Sequence, residues 1–234
     1  MVTESLLLRL TECESLQEIR VISLRNQQLT GCLKTLSKCE NLTIAYLQGN
    51  FLQEKDLMFL QSFGNLKKID LSDNSITSLP PAKVFAGLTQ LKFLYLHNNN
   101  ISNWSDIQSL VSLPTIMHLT LFSNPVCSIP GYRHFLVNSI SSLLALDNFV
   151  ITDEERIEDA SFGYRFRGLN EFMKLHIPDY TKEKSAEQHL FNLEVDVYRL
   201  RRIFERNSPS ILIQSLYRGY RSRNYVKIYF NERR

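Results

Sequence analysis

Hydrophobic residues in the first two thirds of the chain recur in a fixed order rather than at one uniform helical or strand period. Five segments follow the pattern L-x-x-L-x-L-x-x-N-x-L, with other apolar residues or another amide at some positions. These segments begin at Ile19, Leu42, Leu66, Leu91 and Ile116, so successive starts are 23, 24, 25 and 25 residues apart. Self-similarity at such a period predicts a solenoid of stacked repeats.

Each L-x-L predicts a short strand whose two leucines point inward while their neighbours point outward. One repeat cannot enclose its leucines, so stacked neighbours must share a continuous core. The template amide falls at Gln27, Asn50, Asn74, Asn99 and Asn124, where it can donate and accept hydrogen bonds within a buried ladder. The pattern resembles the leucine-rich repeat, which implies an α/β solenoid of five or six short parallel strands with convex helices.

The residues after the fifth repeat resemble the C-terminal cap of intracellular leucine-rich repeat proteins, a subclass that includes protein phosphatase regulators. A cap is required because the last repeat would otherwise expose its apolar edge. We therefore place the solenoid with its cap at 1–160 and a connecting segment at 161–181. The positions that match the cap motif are Tyr132, Arg133, Leu143, Leu146, Asp147, Val150, Glu155 and Arg156.

The pattern changes again at 182–206, where apolar residues are spaced alternately four and three apart, which predicts one long amphipathic helix. This helix either folds back on the solenoid or packs on a helix of another chain. The stretch "NSPS" then interrupts it, and Ser208 and Pro209 suit the start of a second helix within 207–234. The apolar stripe of the first helix consists of Ala186, Leu190, Leu193, Val197, Leu200 and Phe204.

The tail from Ile213 to Val226 resembles the IQ motif, I-Q-x-x-x-R-G-x-x-x-R-x-x-(apolar), at every position. The resemblance implies binding of calmodulin or a calmodulin-like EF-hand light chain, commonly without calcium. On a helix, the apolar residues suit a hydrophobic groove and the arginines suit an acidic partner. The predicted contact residues are Ile213, Gln214, Leu216, Tyr217, Arg218, Gly219, Tyr220, Arg223 and Val226.

Positive charge is concentrated in this tail. From Arg199 onward the chain has ten lysines and arginines against two glutamates, whereas the whole chain carries only +3. The body before Arg199 is therefore mildly acidic. A solvated basic helix and a nucleic-acid clamp are the alternatives to the IQ interpretation, although no RNA-binding signature accompanies the charge.

The outward strand positions predict a protein-binding concave face on the solenoid, because aromatic residues on adjacent strands would form one patch there. The alternative is that the C-terminal arm itself covers this face. The predicted contact residues are Tyr46, Gln48, Lys68, Asp70, Phe93, Tyr95, His97, His118 and Phe122.

No motif predicts catalysis, a cofactor or a metal site. The sequence lacks nucleotide-binding glycine motifs, HExxH and a nucleophile elbow, and its five histidines and four cysteines show no ligand spacing. There is no 18-residue apolar span for a membrane, and Arg9 breaks the apolar start, so we expect no signal peptide. We expect a non-enzymatic cytoplasmic protein with mostly buried, reduced thiols.

The order of repeats, cap and one IQ motif resembles the leucine-rich repeat and IQ domain-containing proteins, which are associated with motile cilia and flagella. The resemblance implies a structural axonemal adaptor that recruits a calmodulin-like subunit through its tail. It would contact other axonemal proteins through the concave face and the 182–206 helix. The alternatives are a soluble regulator resembling phosphatase regulators and a nucleic-acid binder with a basic tail.

Overall fold

The computed structural model describes residues 2–31, 33–152, 155–156, 174–177, 180, 183 and 185–207. The chain opens with helix α1, Glu4–Thr11, whose N-cap residue Thr3 accepts a hydrogen bond at Oγ1 from the Leu6 N–H at 3.3 Å. Leu7 of this helix is buried in the solenoid core. A short helix therefore covers the first repeat.

Every predicted repeat contributes one short parallel strand to a single seven-stranded sheet whose strands lie in chain order. Equivalent residues pair along the sheet, as in Ile22 with Ala45 and Ile69 with Leu94. The first six strands are parallel and the seventh pairs antiparallel with the sixth. The strands are β1 Val21–Ser23, β2 Ile44–Tyr46, β3 Lys68–Asp70, β4 Phe93–Tyr95, β5 His118–Thr120, β6 Ala145–Leu146 and β7 Phe149–Val150.

Short helical segments return the chain along the convex side, as the sequence predicts. They are brief because each repeat has only 23 to 25 residues for a strand, a turn and the return. The α-helices are α2 Ala82–Ala86, α3 Trp104–Leu110 and α4 Tyr132–Ser139, and the 3₁₀ segments are Leu16–Glu18, Lys34–Lys38, Glu54–Ser62 and Pro125–Ser128.

The predicted asparagine ladder is present. The Asn99 side chain accepts from the Ile76 N–H at 3.1 Å and donates to the carbonyls of Leu71 and Leu96, both at 3.0 Å. Asn50, Asn74 and Asn124 bridge neighbouring repeats in the same way. Each amide thus satisfies backbone groups that turn away from the strand ladder. The prediction is wrong for Gln27, which is exposed because no earlier repeat lies beside it.

The predicted cap motif forms one hydrogen-bonded network. Arg133 pairs with Glu155 through two N–H···O contacts of 2.8 and 3.1 Å and also donates to the Leu146 carbonyl at 3.0 Å. The Tyr132 hydroxyl donates to Asp147 Oδ2 at 3.2 Å, while Asp147 Oδ1 accepts from the Leu121 and Phe122 N–H groups. Leu143, Leu146 and Val150 are buried, and Arg156 donates to the Leu143 carbonyl. The cap therefore closes the edge beyond β5.

A long helix, α5, spans Ala186–Asn207 and is called the arm helix below. It corresponds to the helix predicted at 182–206. The division of the chain at 160, 181 and 207 stays a prediction, because residues 157–173 and 208–234 lie outside the described residues.

Candidate interaction site on the concave face

The arm helix packs on the concave face of the solenoid. Leu193, Val197 and Leu200 are buried on one side of the helix, and their spacing of four and three residues places them on one stripe. They form a second hydrophobic cluster with residues that project from the concave side of the sheet: Ile44, Tyr46, Phe93, Tyr95, Met117, Ala145 and Val150. Of the two arrangements that the sequence leaves open, the structure has the arm folded back on its own solenoid.

The expectation of an exposed aromatic patch on the concave face is wrong. Tyr46, Phe93 and Tyr95 are each only 2% exposed. The physical reason is that the arm helix supplies the aliphatic surface that removes these rings from water. The predicted partner contacts of these three residues lie beneath the chain's own helix.

A buried ion pair joins the arm helix to the sheet. Lys68 Nζ on β3 lies 3.6 Å from Asp196 Oδ2, and the two side chains are 2% and 7% exposed. The Tyr180 hydroxyl donates to the other oxygen of Asp196 at 2.7 Å. Burial lowers the pKa of Lys68, and the carboxylates of Asp196 and Asp70 act against that decrease. Without Asp196, this ammonium group would lose its main compensation for leaving water.

Four aromatic rings surround the Lys68 ammonium. Its nitrogen lies 4.8 Å from the ring centroid of Tyr180, 5.4 Å from Tyr95, 5.6 Å from Phe93 and 5.7 Å from Tyr46. Rings at this distance attract a cation through their electron-rich faces. Lys68, predicted as a partner contact, instead fixes the arm helix over the strands.

A second polar contact lies two helical turns before Asp196 on the arm helix, at His189. The Tyr46 hydroxyl is 3.3 Å from His189 Nδ1, and the ring centroids are 5.2 Å apart. The Arg25 guanidinium lies 4.0 Å from the Tyr46 ring centroid. Burial raises the pKa of Tyr46 and lowers that of His189, so both groups are held in their neutral forms. The contact is therefore a neutral one beside the Lys68–Asp196 pair.

The two concave histidines are engaged in structural contacts. His118 Nε2 lies 2.8 Å from the Asp147 carbonyl oxygen, and burial lowers the His118 pKa to about 4. His97 Nδ1 lies 2.8 Å from Thr120 Oγ1, and its ring stacks on Phe122 with centroids 4.4 Å apart. Within the described ranges, no group of three or more histidine, cysteine or acidic side chains could hold a metal ion.

The remaining predicted contacts lie at the edge of the covered area. Asp70 is buried and accepts from the N–H and hydroxyl of Ser72. Gln48, His97 and Phe122 are only half-buried. That the concave face binds a partner therefore stays a prediction. Of the predicted contact residues, only Gln48, His97 and Phe122 remain accessible enough to take part.

Sequence reasoning missed Tyr180, His189 and Asp196 as site residues. A signal for two of them was present, because His189 and Asp196 are seven residues apart and flank Leu193 on the apolar stripe. A polar residue at a buried stripe position indicates a specific partner across the interface. The predicted calmodulin contacts from Ile213 to Val226 lie outside the described residues.

The described cysteines are free thiols. Cys39 is buried, which raises its pKa to about 11, while Cys13 and Cys127 are half-buried. Among the helices of the described residues, none combines the length and apolar character needed to cross a bilayer.

Comparison with known proteins relates the chain to repeat proteins. A family model described as "Leucine Rich repeats (2 copies)" matches residues 64–111. The human protein named leucine-rich repeat and IQ domain-containing protein 3 is 36% identical over 204 residues, covering 86% of this chain and 32% of that protein. The mouse protein of the same name is 36% identical over 203 residues with the same coverage. The chain thus spans about a third of the length of these relatives.

Two other comparisons show weaker similarity, one to a protein sequence and one to a solved structure. Human leucine-rich repeat-containing protein 51 is 36% identical over 92 residues, which is 39% of this chain and 47% of that protein. Among solved structures, the SNF/U2A' complex of Drosophila melanogaster is 22% identical with a TM-score of 0.48, covering 63% of this chain and 82% of the other. That partial likeness does not bear on function.

Proposed function

Because the chain is a leucine-rich repeat protein, similar over most of its length to leucine-rich repeat and IQ domain-containing protein 3, we propose that it is a non-catalytic interaction scaffold. We propose that it recruits calmodulin or a calmodulin-like EF-hand light chain through its tail. The observation that carries this proposal is the complete IQ pattern from Ile213 to Val226.

The fold supports this proposal by anchoring the segment that leads into the tail. The arm helix is held on the solenoid by Leu193, Val197 and Leu200 and by the Lys68–Asp196 pair. It ends at Asn207, and the IQ pattern begins at Ile213, so only a few residues separate them. A light chain on the tail would therefore be recruited close to the end of the docked arm helix.

The tail chemistry supports an acidic EF-hand partner over a nucleic acid. If the tail is helical, the spacings of four and three would place Ile213, Tyr217 and Tyr220 on one side, which suits an apolar groove. Arg218 and Arg223 would supply charge-assisted hydrogen bonds to acidic residues at its edge. Binding would then depend less steeply on salt than a phosphate clamp, because only part of it is electrostatic.

Calorimetric titration of the full chain with calmodulin, in calcium and in chelator, tests the proposal. Ile213→Asp should weaken binding about tenfold to a hundredfold, because burial of an isoleucine contributes roughly 1.5–3 kcal/mol. Ile211→Asp is the matched control, since in a helical tail residue 211 would face away from residue 213. Binding to RNA in place of calmodulin would reject the IQ interpretation and favour the basic clamp.

We further propose that the scaffold is a structural component of the ciliary axoneme. This placement is supported by the family resemblance of the repeats, cap and IQ motif, and not by any contact within the solenoid. The competing assignment is a soluble regulator of the phosphatase-regulator type. Retention on axonemes washed with salt and detergent is expected for the structural component, whereas release into the soluble fraction would favour the regulator.

A further inference from the structure

The outer side of the arm helix presents two large apolar side chains to solvent. Phe191 is 63% exposed and Tyr198 is 62% exposed, the highest values among the exposed large hydrophobic residues described. They are seven residues apart, so they lie on one line two turns from each other, with half-buried Val195 between them.

Charges along the same outer side are arranged unequally. The first half of the helix carries exposed Glu187 and Glu194, whereas the second half carries four exposed arginines against one exposed acidic residue, Glu205. Arg202 lies 5.9 Å from the Tyr198 ring. None of the four arginines forms an ion pair with an acidic residue in the described part of the chain. These arginines are Arg199, Arg201, Arg202 and Arg206.

We propose that this outer side is a homodimer interface in which two arm helices pair antiparallel. A two-fold axis between residues 194 and 195 would place Phe191 of one copy against Tyr198 of the other. The same axis places Glu187 of one copy against Arg202 of the other. Both contacts occur twice, as an isologous interface requires. Glu187 of each copy thus gains an arginine of the other copy, whereas Glu194 already pairs with Lys67 of its own chain.

Charge also disfavours two competing arrangements, a parallel pair and the chain's own tail. A parallel pair would align the arginine-rich halves and place like charges side by side. The chain's own tail from 208 to 234 carries six basic residues and one glutamate, so the arginine-rich half of the helix would repel it. An antiparallel second copy both buries the exposed Phe191 and Tyr198 and pairs Glu187 with Arg202.

The interface has consequences for assembly. A helix of 22 residues is about 33 Å long, so the two tails would leave from opposite ends of the helix pair. Each solenoid would lie on the outside, against the other side of its own arm helix. A single helix pair is at the small end of specific interfaces, so dimerisation should depend on protein concentration. This inference does not depend on calmodulin recruitment.

Sedimentation velocity of the full chain, without calmodulin, from about 1 to about 200 µM tests the inference. The wild-type chain should shift from monomer to dimer across this range. Arg202→Glu and Glu187→Arg should each weaken the dimer at least tenfold, because each reversal places two like-charged pairs across the axis. The combined Glu187→Arg/Arg202→Glu chain should regain the dimer. Arg9→Glu, an exposed reversal on α1, is the control and should leave the dimer unchanged.

Crosslinking tests, independently of affinity, whether the outer sides of two arm helices face each other. Val195→Cys lies beside the proposed axis and should crosslink between copies with a short bismaleimide, above the background of the wild-type thiols. Met58→Cys, an exposed position on a convex-side segment, should not. A chain that stays monomeric throughout, or a dimer that the single charge reversals leave intact, would overturn the proposal. Failure of the charge-swapped chain to regain the dimer would also overturn it.

Discussion

The ion pair beneath the arm helix allows a quantitative test of how the arm is held. Asp196→Asn removes one charge while keeping the shape of the side chain and an oxygen that can accept from the Tyr180 hydroxyl. The Lys68 ammonium then stays 2% exposed with its nearest carboxylate gone. Asp70 contributes a second, weaker attraction to the same ammonium. The substitution therefore isolates the charge of Asp196.

Removing one partner of a buried pair costs about 3–5 kcal/mol, because the remaining charge is left uncompensated. The attraction of Asp70 and the four rings favours the low end of that range, about 3 kcal/mol. A cost of this size raises the population with a detached arm about a hundredfold. The repeats should stay folded, since their core is formed by a separate hydrophobic cluster.

Hydrogen exchange measured residue by residue is the suitable assay, because it reports local opening as well as global unfolding. In Asp196→Asn, amides of the arm helix should exchange about a hundredfold faster, while amides of the repeat core should be unchanged. The matched control is Glu194→Gln on the same helix, whose carboxylate pairs with Lys67 at 3.7 Å in a more exposed position. Loss of such an exposed pair should cost less than about 1 kcal/mol.

The pH dependence of the Asp196→Asn effect gives a further check. Burial already places the pKa of Lys68 below its ordinary value, and loss of Asp196 lowers it more. Between the Lys68 pKa of the folded variant and the higher one of the folded wild type, the folded variant has lost the Lys68 proton that its unfolded chain still binds, so the variant's stability rises with pH and the wild type's does not. The cost of the substitution should therefore shrink as the pH rises.

Two outcomes would refute the reasoning about the ion pair. One is that the amides of the arm helix exchange as slowly in Asp196→Asn as they do in Glu194→Gln. The other is that the doubly substituted Lys68→Met/Asp196→Leu chain is as unstable as the single variant. Replacing both charges with apolar groups should return the docking free energy to within about 1 kcal/mol of the wild type, or improve it.

Two further predictions concern the repeats. His118, with a pKa of about 4, stays neutral in the fold while the unfolded chain takes up a proton below pH 6.5, so its contribution lowers stability by about 3 kcal/mol as the pH falls to 4. Urea titrations should show a shallower acid decline for His118→Gln, and an unchanged slope would contradict the assignment. Asn99→Ala strips the buried Ile76 N–H of its acceptor and should lower the free energy of unfolding by about 1–3 kcal/mol. Gln27→Ala, at the exposed equivalent position, should change it by less than about 0.5 kcal/mol, and equal losses would argue against the ladder.

The repeat architecture could be predicted because its contacts join equivalent positions of successive repeats. The ladder amide of Asn99 reaches residues 23 and 28 positions earlier, both within the preceding repeat of the sequence pattern. The cap was also predictable, since the Arg133–Glu155 pair and the Tyr132–Asp147 contact lie within 22 residues of each other along the chain. Gln27 is exposed although it matches the pattern, because the pattern of one repeat does not show whether another repeat precedes it.

The candidate site was harder to predict, because two apolar surfaces appear separately in the sequence. The outward aromatics of β2 and β4 form one, and the stripe through Leu193 and Val197 forms the other. Each apolar surface must be buried against another surface, and the spacing of its hydrophobic residues indicates which side chains will be buried. The periods do not say whether the two surfaces meet each other or meet other chains.

The sequence by itself determined the solenoid, its asparagine ladder, its cap and the basic IQ-like tail, since these depend on local spacing. Only the tertiary structure decided that the arm helix docks on the concave face, pairing Lys68 with Asp196 and Tyr46 with His189. Tyr46 and His189 are 143 residues apart along the chain. The physical reason is that hydrophobic burial is non-directional, so an apolar stripe requires a partner surface without specifying which one. In the folded chain the docked arm also places Asp196 beside Lys68, and without it this buried ammonium would be left uncompensated.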